Sequence, residues 1–73
     1  MGRLLVLSGA DVCRILARHG FVEVRRRGSH ILMQKIAEGG TITVPVPDHK
    51  ELCIGTLFSI IRQSQVSRSE FEG

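Results

Sequence analysis

The amino-acid sequence predicts a small two-layer α+β domain with the element order α-β-β-β-α. Three observations lead to this fold class. An apolar stripe of helical period lies near each end of the chain, three β-branched segments lie between the stripes, and short turns separate these segments. Such strands form a three-stranded antiparallel sheet with one face available to both helices. With 73 residues, the chain is expected to be one domain, residues 1–73.

The first helix is expected to follow Ser8, whose hydroxyl can cap the first amides. Asp11 favours the positive end of the helix dipole, and Gly20 is a typical helix stop. Arg14 and Arg18 lie one turn apart on the side away from the apolar stripe. That stripe comprises Val12, Ile15, Leu16 and His19.

Three strands are predicted to follow this helix. Residues 21–27 are a β-branched segment that becomes basic, and residues 28–29 form a turn of hairpin length. Residues 30–36 form the second strand. Residues 41–46 alternate between apolar and polar side chains and form the third strand, in which Pro45 is typical of a sheet edge.

The second helix is expected to start at Gly55 and to end between residues 63 and 66. Ser67 begins a Ser-x-x-Glu capping box, which predicts a short terminal helical turn. The predicted apolar face of the second helix comprises Ile54, Leu57, Phe58 and Ile61, widened by Ile60. This arrangement is similar to that of double-stranded RNA-binding domains, a likeness of fold that does not define a function.

Charge is distributed unevenly along the chain. Residues 1–35 carry seven basic and two acidic side chains, whereas residues 36–73 carry three basic and five acidic ones, so their net charges are +5 and −2. A basic half indicates a polyanionic partner, most simply nucleic acid. The alternative is a charge that serves only solubility.

The composition predicts a folded cytoplasmic protein without a membrane segment. Hydrophobic residues make up 42% of the chain and charged residues 23%, as in ordinary globular proteins. No apolar run approaches the roughly 18 residues of a membrane span, and residues 4–7 are too short for a secretory signal. Cys13 and Cys53 adjoin apolar stripes, so both are expected to be small core residues in a reducing cytosol.

His30 is the first candidate for chemistry. Strand alternation directs Ile31 and Met33 to the helix-covered face, which leaves His30 outward beside the arginines of the first strand. An imidazole can accept or donate a proton near neutral pH. The alternative is an exposed strand histidine without a role.

The hairpin turn beside His30 is suited to a phosphate group, because Gly28 and Ser29 offer backbone amides and a hydroxyl. At most two of the three arginines at 25–27 can share a sheet face with His30, because successive strand residues point to opposite faces. The alternatives are a plain turn and a solvated edge strand that discourages aggregation.

Other basic residues extend the predicted contact with RNA. Lys50 and His49 lie in the loop before the second helix, where simple loop polarity is the alternative. The full set of predicted RNA-binding residues is Arg25, Arg27, Gly28, Ser29, Lys50, Arg14 and Arg18. No pair of cysteines or histidines has the spacing of a metal site, so neither a metal nor another cofactor is expected.

Seven short motifs follow one another along the chain, within a resemblance to a known family that runs from about Ser8 to Phe71. They are Leu7-Ser8-Gly9, Gly20-Phe21-Val22-Glu23-Val24, Arg27-Gly28-Ser29-His30, Val44-Pro45-Val46-Pro47, His49-Lys50-Glu51-Leu52, Gly55-Thr56-Leu57 and Ser59-Ile60-Ile61-Arg62-Gln63. In this order they resemble the HicA toxins, also called the YcfA-like family. The resemblance implies a ribosome-independent mRNA endoribonuclease on a double-stranded-RNA-binding-like fold, neutralised by a HicB-type antitoxin.

The resemblance assigns the catalytic role to His30, in the Gly-Ser-His motif. Many family members have a second histidine where this chain has Ile31, and a basic residue where it has Phe58. The latter change implies weaker RNA contacts or an apolar contact point for the antitoxin.

The function predicted from the sequence is therefore that of a type II toxin, monomeric when free, which cleaves mRNA with His30 and without a metal. The second proton would come from water, from His49 or from protonated His30. Two other classes remain: a non-catalytic RNA-binding module that uses Arg14, Arg18 and the strand arginines, and a protein-interaction domain.

Overall fold

The computed structural model describes residues 2–73 and confirms the predicted α+β class. The elements in chain order are α1 (Gly9–Arg18), β1 (Val22–Arg27), β2 (His30–Ala37), β3 (Gly40–Pro47), α2 (Ile54–Ser64) and a terminal 3-10 helix (Arg68–Phe71). The strands form one antiparallel sheet in the order β1-β2-β3. No helix within residues 2–73 is long and apolar enough to cross a membrane.

Helix α1 begins with the predicted capping pair. The Ser8 hydroxyl accepts a hydrogen bond from the Asp11 amide, and the Asp11 carboxylate accepts one from the Ser8 amide, each at 3.0 Å. These bonds satisfy amides that the helix itself leaves unpaired. Gly20 follows the helix with a φ of 92°. The predicted stripe is buried except at His19, which lies at the C-terminal cap and bonds Glu70 at 3.0 Å.

The capping pair predicts a stability loss in acid. The hydrogen bond from the Ser8 amide, followed by that with the Ser8 hydroxyl, lowers the pKa of the Asp11 carboxyl below its ordinary value. The stabilisation is therefore present at neutral pH and is lost as the pH falls below about 4. We expect Asp11→Ala to lower the Tm at pH 7, and its Tm difference from wild type to shrink as the pH falls below about 4, measured by circular dichroism. Glu38→Ala, in the exposed β2–β3 turn, is the control; a Tm difference for Asp11→Ala that does not change with pH would contradict the assignment.

One face of the sheet packs against both helices. Ile31 and Met33 of β2 lie opposite Val46 and Val44 of β3, and none of the four is more than 3% exposed. They form a single core cluster with the buried residues of α1 and α2.

The predicted strand boundaries agree with the observed ones to within one residue, and β3 is an edge strand, as Pro45 indicates.

Helix α2 packs only part of the predicted stripe against the core, which includes the partly buried Ile61. Leu57, Ile60 and Ser64 are buried, whereas Ile54 and Phe58 are 57% and 44% exposed. Phe58 lies 100° around the helix from Leu57 and is on the solvent side of the buried stripe. The prediction that Ile54 and Phe58 belong to the buried face is therefore wrong, and α2 keeps an apolar outer side.

The two cysteines also differ from each other. Cys13 is half-buried against the core, and this burial raises the pKa of its thiol. Cys53 is exposed, so the prediction that it is a core residue is wrong. It occupies the extended N-terminal cap position of α2, one residue before the helix begins, and thus lies outside the packing stripe.

The two ends of the described chain pair with each other, which the sequence did not indicate. The Leu5 amide donates to the Phe71 carbonyl, and the Gly73 amide donates to the Arg3 carbonyl, both at 2.9 Å. The terminal helical turn is confirmed as the 3-10 helix, and its Phe71 is fully buried. The segments on either side of the α-β-β-β-α unit therefore complete its core.

Candidate functional site

The sheet face away from the helices, called the open face, carries the predicted catalytic residue. His30 is the first residue of β2, is exposed, and lies opposite Arg27 of β1 and Pro47 of β3. Its neighbour Ile31 is only 3% exposed and points into the core. Because successive strand residues point to opposite faces, His30 points to the open face.

The register identifies which arginines accompany His30. Arg27 lies directly opposite His30, and residues in that position share a face. Arg25 lies two residues earlier on β1 and has the same orientation. Arg26 lies opposite the buried Ile31 and points to the other side. The sequence limited the number of arginines on the His30 face to two, and the strand register shows that these two are Arg25 and Arg27.

A β-bulge in β1 removes the one strand carboxylate from this face. Strict alternation would place Glu23 on the same face as Arg25 and Arg27. The register shifts between Glu23 and Arg25, however, so Glu23 lies opposite Met33 on the helix-covered side. Its carboxylate approaches Arg26 at 4.0 Å, which agrees with that placement. The strands therefore present the open face with no acidic side chain, and its charge is entirely basic.

Asp48 ties the hairpin turn to the loop after β3. Its carboxylate accepts a hydrogen bond from the Arg26 guanidinium at 2.6 Å, and its amide donates to the Ser29 carbonyl at 2.6 Å. The hydrogen bond to Asp48 raises the pKa of Arg26. Gly28 has a φ of 58°, as the first residue of a tight hairpin turn requires. Asp48 thus holds the backbone before His30 through its amide and the Arg26 side chain of β1 through its carboxylate.

Gly9 joins the start of α1 to the same loop. Its amide donates to the His49 carbonyl at 2.9 Å, and a Cβ atom at this position would lie 2.1 Å from the Pro47 carbonyl oxygen. Only glycine permits this approach. The contact places the loop that carries His49 and Lys50 at the end of the sheet where β2 begins. Sequence reasoning missed both Asp48 and Gly9 as supports of the site, because their partners are distant along the chain.

Arg14 and Arg18 lie apart from His30. They line a groove of about 450 Å³ between α1 and the chain ends, on the helical side of the sheet. Glu70 and Glu72 line the same groove, and Arg14 bonds Asp11. The predicted RNA-binding residues therefore fall on two surfaces, of which only the open-face end lies beside His30.

No group of three or more His, Cys, Asp or Glu side chains in residues 2–73 is placed to hold a metal ion. What the open face presents is one exposed histidine, two arginines on the same face, and a hairpin turn with a hydroxyl. An imidazole transfers protons, and guanidinium and amide groups bind phosphate oxygens. This combination is suited to acid–base chemistry on an anionic substrate.

Fold and site together define a small α+β domain with a basic surface around one histidine. The family model described as the HicA toxin of bacterial toxin-antitoxin systems matches residues 9–66, which is most of the chain. The protein belongs to the HicA toxin family, as the order of its motifs indicated, and the family implies an antitoxin partner. A comparison with curated proteins gives no match.

Proposed function

We propose that this toxin is a metal-independent endoribonuclease that cleaves mRNA, with His30 as its catalytic residue and a HicB-type protein as its antitoxin. The observation that carries the proposal is the placement of His30 with Arg25 and Arg27 on a sheet face without a carboxylate. Membership of the HicA family supports the same conclusion.

In the proposed reaction, His30 removes the proton from a ribose 2′-hydroxyl, and the resulting oxygen attacks the adjacent phosphorus. The bond from phosphorus to the 5′ oxygen breaks, so the products carry a 2′,3′-cyclic phosphate and a 5′-hydroxyl. Arg25 or Arg27, with the amides of Gly28 and Ser29, stabilises the negative charge on the phosphorane oxygens. The leaving oxygen takes its proton from water, from His49 or from His30 in its protonated form.

The missing second histidine of the motif does not weaken this proposal. Position 31 is 3% exposed and belongs to the core. A side chain there points away from the open face, so His30 remains the motif residue that can meet a substrate on that face.

The direct test is incubation of the purified protein with a generic mRNA in EDTA, followed by analysis of the fragment ends. We expect cleavage with 2′,3′-cyclic phosphate and 5′-hydroxyl ends. Cleavage that requires an added metal ion would contradict the mechanism. Salt-sensitive binding without cleavage would favour the non-catalytic RNA-binding module.

RNA affinity is expected to fall steeply with salt, because phosphate contacts release counterions. Arg27→Ala should reduce the slope of log affinity against log salt by about one contact. Arg62→Ala, an exposed arginine on α2, is the control and should leave the slope unchanged. Equal slopes for wild type and Arg27→Ala in filter-binding titrations would show that Arg27 is only a solvated side chain.

Asp48 is expected to act as a positioning residue. Asp48→Ala removes the ion pair with Arg26 that ties β1, the strand before the turn, to the loop after β3. We expect about a tenfold lower kcat with little change in KM, since small displacements of a catalytic group are costly. Glu51→Ala, in the same loop, is the control. An increase in KM with an unchanged kcat would contradict a positioning role.

A further inference from the structure

The middle of the open face carries a side-chain amide that the proposed reaction does not use. Gln34 lies four residues after His30 on β2, and its neighbour Met33 is only 3% exposed and points into the core. Strand alternation therefore directs Gln34 to the open face, on the same side as His30. At about 3.3 Å per residue, the two residues are roughly 13 Å apart along the strand.

Thr43 holds this amide in one orientation. It lies directly opposite Gln34 on β3, and the Gln34 Nε2 atom donates a hydrogen bond to the Thr43 hydroxyl oxygen at 3.2 Å. One of the two N–H groups of the amide is thereby used. Within residues 2–73, the second N–H group and the carbonyl oxygen have no hydrogen-bond partner, so Gln34 offers one donor beside one acceptor.

A partly apolar surface lies between Gln34 and His30. Leu32 is midway between them on β2, is half-buried, and lies opposite Arg25 of β1 and Pro45 of β3. These three residues share the open face, because directly opposite strand residues have the same orientation. A planar base can lie against Leu32 and Pro45, and an arginine guanidinium can stack on its face. An RNA strand with its phosphate at His30 can therefore bring a neighbouring base to Gln34.

The amide is suited to a base edge rather than to a phosphate. Gln34 carries no charge, whereas phosphate oxygens are bound best by guanidinium groups such as those of Arg25 and Arg27. One donor beside one acceptor matches adenine, whose amino group N6 lies next to the acceptor N7. Guanine presents two acceptors, N7 and O6, and requires two donors. In single-stranded RNA these base edges are accessible to side chains.

We propose that Gln34 is a specificity-determining residue that binds an adenine base close to the cleaved bond, with Thr43 as its positioning residue. This assignment rests on the proposed function, because it names the RNA sequence that the same sheet face prefers. His30 performs the proton transfer, and Gln34 determines which phosphodiester bonds are presented to His30.

The test maps the cleavage sites of the purified full-length protein on a generic mRNA in EDTA, by sequencing of the fragment ends. We expect wild type to favour adenine at one fixed position relative to the cut, by about five- to a hundredfold over other bases. Gln34→Ala should lose this preference, and Thr43→Val, which removes the hydroxyl, should weaken it. Two matched controls should keep it: Gln63→Ala, exposed on α2, and Thr41→Val, exposed on β3.

A binding measurement separates the base site from the nuclease. The His30→Ala protein, with and without Gln34→Ala, is titrated with a short oligouridine and with the same strand carrying one central adenine. Fluorescence anisotropy reports the affinity. We expect the adenine-containing strand to bind more tightly by a similar factor, and only when Gln34 is present.

Three outcomes in a protein that cleaves RNA would overturn the assignment of Gln34 and keep the nuclease. They are equal binding of the two strands, a preference for guanine, and a Gln34→Ala protein that cleaves every site more slowly with the wild-type base preference. Conversely, a wild-type protein that cleaves no RNA, together with adenine-dependent binding that needs Gln34, would refute the nuclease and keep the base site.

Discussion

His30→Ala is expected to lower RNA cleavage by at least about a hundredfold, because general acid–base catalysis contributes roughly 10² to 10⁴ in rate. RNA affinity should change little, since Arg25 and Arg27 remain on the open face. The fold should also be kept, because His30 is exposed and contributes nothing to the core. Single-turnover cleavage, filter binding and thermal denaturation measure the three effects separately.

His19→Ala is the matched control for this prediction. His19 caps α1 and bonds Glu70, away from the open face, so its loss should leave the cleavage rate unchanged. His49→Ala decides the route of the second proton: a large loss identifies His49 as the donor, and an unchanged rate leaves water or protonated His30. A folded His30→Ala protein that cleaves at the wild-type rate would remove His30 from the mechanism.

Phe71→Ala is expected to unfold most of the protein at 37 °C. Phe71 is fully buried and is among the largest side chains of the core. Removal of a buried phenylalanine side chain costs about 3 to 5 kcal/mol. The core of so small a domain supplies a net stability of similar size, about 3 to 5 kcal/mol. Urea denaturation at 25 °C and the Tm measure the loss.

Phe58→Ala is the control for this change, because it removes the same side chain from a site that is 44% exposed. We expect it to cost less than about 1 kcal/mol. A Phe71→Ala protein as stable as Phe58→Ala would show that the terminal 3-10 helix is dispensable. The comparison is informative because Phe71 lies beyond residues 9–66, the part that matches the family. A fragment limited to those residues would lack Phe71 and the Leu5–Phe71 backbone contact.

The local elements could be predicted from the sequence because their signals are local. The Ser8 capping pair, the Gly20 stop and the alternation in β3 each involve residues within a few positions of one another. Strand alternation also predicted that His30 and Ile31 point to different faces of the sheet, and it limited the arginines beside His30 to two. The order of short motifs identified the family for the same reason.

Only the tertiary structure decided the surroundings of the site, because these depend on contacts between residues distant in sequence. The bulge that takes Glu23 off the open face appears only in the pairing of β1 with β2. Asp48 reaches Arg26 across 22 positions, and Phe71 reaches the start of the chain. Phe58 is exposed because α2 packs against β3 with Leu57 and Ile60 on its buried side. Periodicity shows that a helix has an apolar side, but packing against the rest of the molecule decides which apolar residues are buried.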